Sequence, residues 1–195
     1  MIDDDALAFS QIVATARLIL RLPSPEDAEP LVALANNPAV SSMLSSMPHP
    51  YRQEDAMAFL LKAQSPGRRV WAVTRASDGA FLGCAGYSPF EDILEIGYWI
   101  GEPHWGQGYA TEAAHAVVDQ AFALTASTAL HAECRMRNAA SRRVIHKCGF
   151  QYAGQGMRMS LASGRIPVER YRLDRTIWKG LRSWPAQSSA NQTGK

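Results

Sequence analysis

The chain has 195 residues, 47% of them hydrophobic and 19% charged, which supplies one sizeable buried core and leaves little length for a second domain. The 20 Lys and Arg against 18 Asp and Glu give a formal charge of +2, so charge alone points to neither a nucleic acid nor a membrane as partner. Cys84, Cys134 and Cys148 are odd in number and unrelated in spacing, as in a reducing compartment rather than a disulfide scaffold. No apolar run reaches the ~20 residues a bilayer requires, and the acidic start Met1-Ile2-Asp3-Asp4-Asp5 lacks the basic stretch of a signal peptide. These priors describe a cytoplasmic protein.

In chain order, residues 1–14 read as a loose leader, 15–184 as one folded domain, and the small, polar residues 185–195 (PAQSSANQTGK) as a disordered tail. Arg17 to Leu22 is a short β-rich run. Ser24-Pro25-Glu26-Asp27 has the chemistry of a helix start, with an N-cap serine, proline in the first turn and acids near the positive end of the dipole. Pro30 then demands either a kink or a later start. Ser41 to Tyr51 carries turn chemistry, and Gln53 to Gln64 places Ala56, Phe59, Leu60 and Ala63 on one helical face. Strands follow at Val70 to Arg75, Ala80 to Tyr87 and Leu94 to Ile100, the first two joined by an Asp78-Gly79 turn.

Gly108 to Ala126 is a helix by its apolar spacing. Leu130 to Met136 alternates as a strand, with His131, Glu133 and Arg135 opposite Leu130, Ala132 and Cys134. Asn138 caps a helix that runs to Lys147 and stops at Gly149. A last hairpin turns near Ser163-Gly164, its second strand holding Arg170 to Ile177. The order β-α-α-β-β-β-α-β-α-β-β describes an α/β fold around a mostly antiparallel sheet.

The stretch Glu95 to Glu112 (EIGYWIGEPHWGQGYATE) is the most informative. A strand enters a short loop with Gly106 and Gly108, and a long helix starts directly behind it. Glycines let backbone N–H groups approach a ligand, and a helix N-terminus adds unpaired donors and partial positive charge. Such an arrangement holds a phosphate or pyrophosphate, or is an ordinary glycine turn. The third glycine of a dinucleotide fingerprint and the Gly-Lys-Ser/Thr of a P-loop are both missing.

With its neighbours, this stretch resembles the GNAT N-acetyltransferases, in particular the RimJ/RimL-type ribosomal-protein N-acetyltransferases. The matching pieces are Thr15 to Arg21, Glu95 to Ile100, Trp105 to Ala113, Asn138 to Ser141 and Lys147 to Phe150, in the family's order. The resemblance implies a central sheet of about seven strands with a splayed pair, and acetyl-CoA as donor. It implies that Tyr98, Trp99 and Ile100 flank the pantetheine arm. The pyrophosphate would rest on the loop and first turn formed by Trp105, Gly106, Gln107, Gly108, Tyr109, Ala110 and Thr111. Asn138 would contact the thioester end. Trp105 stands where the family usually has Gln or Arg. Ile145 stands where many relatives carry a tyrosine that protonates the thiolate, so Ser141 inherits that role and a place beside the cofactor.

Direct acetyl transfer requires a neutral amine, a polarised thioester and a proton for the thiolate, without a covalent enzyme intermediate. A free α-amine is roughly a quarter neutral at physiological pH and a lysine about a thousandth, so a weak base suffices for an N-terminus. Glu95, sharing a strand face with Gly97 and Trp99, is the candidate base or else a solvated strand-end carboxylate. Ser141 is the candidate acid or else a first-turn hydroxyl bonded locally. Cys134 reads as a small buried hydrophobe. His131 and Cys134 fall on opposite strand faces, and no metal is expected. The expected partners are acetyl-CoA and an amine, either a protein N-terminus or a small metabolite or antibiotic, on a monomer or homodimer without nucleic acid or membrane. A catalytically silent acyl-CoA sensor would need neither Glu95 nor Ser141. Acceptor specificity is expected from Ser41 to Tyr51 and from the hairpin Met157 to Arg170.

Overall fold

The computed structural model describes residues 12–63 and 65–183. Residues 1–11 of the expected leader, Gln64 and the expected tail lie outside them. Eight strands form one sheet: β1 (Ile12–Ala14), β2 (Leu18–Arg21), β3 (Arg69–Arg75), β4 (Phe81–Phe90), β5 (Ile93–Ile100), β6 (Ala129–Arg135), β7 (Gln151–Ser160) and β8 (Gly164–Asp174), in the order β1-β2-β3-β4-β5-β6-β8-β7. The helices are α1 (Ala28–Ala35), α2 (Pro38–Ser41), α3 (Gln53–Lys62), α4 (Tyr109–Leu124), α5 (Ala139–Lys147) and α6 (Arg175–Ser183).

Period-2 alternation divides the apolar side chains between the two faces of the sheet. Trp71, Val73, Ile96 and Ile100 pack with Ala113, Val117, Phe122 and Ile145 of α4 and α5. Val70, Cys84 and Trp99 join Leu31 and Ala35 of α1 and Ala56 of α3 in a second cluster on the other face. Burying these side chains contributes roughly 1.5–3 kcal/mol apiece for the larger aliphatics. Among the described residues, no helix is long and apolar enough to cross a membrane.

Two expectations are corrected, and the alternatives at Pro30 resolve to the later helix start. Part of the supposed leader is a strand, since Ile12, Val13 and Ala14 pair with Arg21, Leu20 and Ile19; three residues are too few to show a period. The helix expected at Ser24 opens as a 3-10 turn, Pro25–Asp27, and becomes α-helical only at Ala28. Pro30 thus falls in the first α-helical turn, where its missing N–H costs nothing. Asp27 fixes that entry by accepting from Ser24 N at 2.8 Å and pairing with Arg21 of β2 at 2.6 Å.

The last strand ends at Asp174, and the residues expected to extend it to Ile177 begin α6. Arg175 turns the chain there by donating to the carbonyls of Phe122, Thr125 and Ser127, around the negative end of α4. Trp178 then packs against Phe122, the ring centroids 5.0 Å apart and the planes tilted by 33°, and donates to Asp119.

Candidate active site

The only parallel pair among the described strands is β5 with β6, and it is short. Leu94 pairs with Leu130 and Glu95 with His131. Beyond them β5 stays on β4 as far as Ile100, while β6 stays on β8 as far as Arg135. The two strands therefore part toward their C-terminal ends, and the edges facing the gap carry backbone groups without ladder partners. A ligand with amide groups meets unsatisfied donors and acceptors there.

The loop expected to hold phosphate lies past the end of β5. Gly106 and Gly108 are exposed, with φ of 75° and 83°, the left-handed region that glycine enters without penalty. The first helical bond of α4 runs from Glu112 N to Gly108 O at 3.1 Å, and no side chain caps the helix. The N–H groups of Gly108, Tyr109, Ala110 and Thr111 thus precede the ladder with the dipole behind them, an arrangement suited to an anion. The indole N–H of Trp105 donates to Ile100 O at 2.6 Å, so this residue pins the loop to β5 and its polar atom is not available to a phosphate. Trp99 and Ile100 turn their side chains into the two cores, Trp99 against Phe81 at 6.3 Å. Only their backbones border the gap.

Arg17 holds the loop from outside, a role that sequence spacing does not reveal. Its guanidinium donates to Gln107 O at 2.9 Å, pairs with Glu112 at 2.8 Å and lies 4.8 Å over the Tyr109 ring. Thr15 Oγ1 donates to the same Glu112 carboxylate at 2.6 Å. Burial works against the charge on Glu112, but the bonds from Thr15 and Arg17 outweigh it and hold its pKa below the usual carboxylate range. The Thr15 to Arg21 piece and the Trp105 to Ala113 piece, far apart in sequence, are thus one clamp around the loop.

On the far side of the gap, Asn138 caps α5 by accepting from Ser141 N at 3.0 Å. Ser141 Oγ lies 2.9 Å from Tyr98 Oη, which also donates to the Ser141 carbonyl at 3.2 Å. Tyr98, Asn138 and Ser141 are therefore brought together where β5 and β6 diverge.

Glu95 lies on the opposite face of β5, with Gly97 and Trp99, as alternation requires. Its two oxygens accept from Arg158 at 2.9 Å each. Arg158 also bridges to Glu133 at 2.8 Å, and Arg170 reaches Glu133 at 3.0 Å. Burial pushes the Glu133 carboxyl up, but His131, Arg158 and Arg170 overcome this and hold its pKa at about 2. The His131 ring stacks on Phe90 with centroids 4.1 Å apart. Glu95, His131 and Glu133 offer ligand atoms within 4.8 Å of one another, and Arg158 and Arg170 pair with the two carboxylates. Neither arginine announced itself in the sequence, because both lie on strands beyond β6.

The two segments expected to govern the acceptor meet over this face. Leu161 N donates to Ser45 O at 2.9 Å and Ser160 Oγ to Leu44 O at 3.0 Å, while Arg135 donates to Ser42 O. Met47 and Tyr51 are buried in the second cluster. They are core under the loop.

The family model described as an acetyltransferase (GNAT) domain matches residues 17–151. The Bacillus subtilis (strain 168) protein YkkB is 30% identical over 147 residues, covering 72% of this chain and 86% of YkkB. The N-acetyltransferase p20 of Bacillus licheniformis is 26% identical over 159 residues, covering 78% of this chain and 89% of p20. Among solved structures, the ribosomal L7/L12 α-N-protein acetyltransferase RimL, in complex with coenzyme A, superposes with a TM-score of 0.70 at 20% identity, covering 84% of this chain and 97% of that one. At that identity the likeness concerns the fold.

Proposed function

This chain belongs to the GNAT acetyltransferases, and we propose that it moves the acetyl group of acetyl-CoA to a primary amine, the α-amine of a protein or peptide N-terminus. The observation that carries this reading is the conjunction of the uncapped, glycine-lined start of α4 with the parted β5 and β6 edges and the Tyr98–Ser141 contact beside them. Tyr98 of the hydroxyl pair stands on β5, and the uncapped start of α4 lies past the end of the same strand. When bound, acetyl-CoA supplies the activated acyl thioester.

In this reading the N–H groups from Gly106 to Thr111 hold the pyrophosphate, and the freed β5 edge from Ile96 to Ile100 aligns the pantetheine amides. Asn138 and Ser141 border the thioester. Glu95 takes the amine proton through a water, since each of its oxygens keeps a second lone pair beyond the one used by Arg158. A C–N bond forms as the C–S bond breaks with its electron pair left on sulfur. Sulfur takes the Ser141 hydroxyl proton, solvent returns a proton to Oγ, and Glu95 releases the amine proton to solvent, so the protons balance. The resemblance to the RimJ/RimL branch, a cytoplasmic setting and a single domain that includes β1 belong to the same proposal.

The test is release of thiol from acetyl-CoA with peptides bearing free N-termini, N-blocked lysine peptides, polyamines and aminoglycosides as acceptors. Turnover confined to free N-termini supports the proposal. Turnover confined to a small amine refutes its acceptor, and acetyl-CoA binding with silence toward every acceptor identifies a sensor instead.

A further inference from the structure

Ser141 is held at three atoms. Its N–H donates to Asn138 Oδ1 at 3.0 Å, and its carbonyl oxygen and its Oγ lie 3.2 Å and 2.9 Å from Tyr98 Oη. Among the described residues, Tyr98 is the one hydrogen-bond partner of Ser141 Oγ. The phenol has a single proton, and both of its acceptors belong to Ser141. The shorter of its two contacts, 2.9 Å against 3.2 Å, is with Oγ, and with the proton given there the serine's own hydrogen turns away from the phenol. Burial pushes the Tyr98 pKa up, so the phenol stays a donor over the working range of the enzyme. Ile145, one helical turn beyond Ser141, is buried and apolar, and no second hydroxyl comes from that side of α5.

Resting on the transferase reading above, we propose that Tyr98 is a positioning residue that acts through Ser141, fixing the serine hydroxyl so that its proton faces the departing thiolate. A lone serine distributes its hydroxyl hydrogen among staggered rotamers, and only one of them serves the sulfur. A hydrogen bond accepted from the phenol excludes the rotamer that points at it and strengthens donation from the others, because a hydroxyl that accepts one hydrogen bond donates a better one. The strand thereby contributes to chemistry performed from the helix. The two residues are 43 positions apart.

The test is a double-mutant cycle with Tyr98→Phe and Ser141→Ala, measuring kcat, KM for acetyl-CoA and coenzyme A affinity. Tyr98→Phe is expected to lower kcat about tenfold, the size of one hydrogen bond to a developing charge, with KM and coenzyme A affinity unchanged. In the Ser141→Ala background the same change is expected to cost nothing, whereas a packing role would persist there. Ser141→Thr, which keeps the hydroxyl, is expected to retain the dependence on Tyr98. The proposal is overturned if Tyr98→Phe costs the same factor with and without the serine hydroxyl, or is silent while Ser141→Ala is slow. A Ser141→Ala enzyme as fast as the wild type overturns the proposal while transfer by the wild type still stands. No transfer by the wild type to any amine overturns both.

Discussion

Replacing Gly106 by alanine isolates what the loop does for the donor, because the hairpin turn provides a matched control. Gly106 has φ 75° and Gly79 has φ 74°, and a Cβ built at either meets no heavy atom within 4 Å. Both substitutions place an L residue in the left-handed region, at roughly 1–2 kcal/mol, partly offset by about 0.4–1 kcal/mol from a stiffer unfolded chain. Each variant should melt a few degrees low, at about 2–4 °C per kcal/mol for a chain of this size. Gly79 is not part of the loop proposed to hold the pyrophosphate, so Gly79→Ala should bind acetyl-CoA as the wild type does. In Gly106→Ala the new methyl stands where a phosphate would approach the backbone. Loss of one hydrogen bond to a charged group, about 1.5–3 kcal/mol, corresponds to roughly ten- to a hundredfold weaker binding. Calorimetric titration of both variants measures the difference directly. Equal affinities for Gly106→Ala and Gly79→Ala would refute placement of the pyrophosphate on this loop.

Two further outcomes are expected. Glu133, with a pKa of about 2 when folded and an ordinary carboxylate value when unfolded, contributes stability that is complete above about pH 4.5 and lost as pH falls toward 2. Urea midpoints measured down that range should fall more for the wild type than for Glu133→Gln, and equal slopes would exclude the Arg158–Glu133–Arg170 network as their source. Ser160 is 3% exposed and donates to Leu44 O at 3.0 Å; Ser160→Ala should cost about 1 kcal/mol and raise the acceptor KM several-fold with KM for acetyl-CoA unchanged. Steady-state kinetics in each substrate checks this, and an unchanged acceptor KM would remove the 41–51 loop from the acceptor wall.

What was legible in the sequence was local. The apolar spacing that gave α4, the alternation that placed Glu95 opposite Tyr98, and the glycines before a helix all follow from periods and dihedral preferences read within a dozen residues. The same property limits such reading. The alternating Ile166, Val168, Arg170 run was visible only in part, and its end at Asp174 was not, because Arg175 stops the strand by bonding to carbonyls about 50 residues away.

Tertiary structure alone decided the partners. Arg17 reaches Glu112 across 95 positions and Arg158 reaches Glu95 across 63, and no local pattern distinguishes these arginines from the chain's others. Glu95 was legible as a carboxylate beside the parted strand; that both its oxygens rest on a guanidinium depends on β7 and β8 folding back beside β6. The opening itself is a product of topology. It exists because β5 and β6 run parallel and share only two pairs before each follows its antiparallel neighbour. Strand residues carry no local record of which edge will be left unpaired, since that choice is made by whichever long-range contacts bury the most apolar surface together.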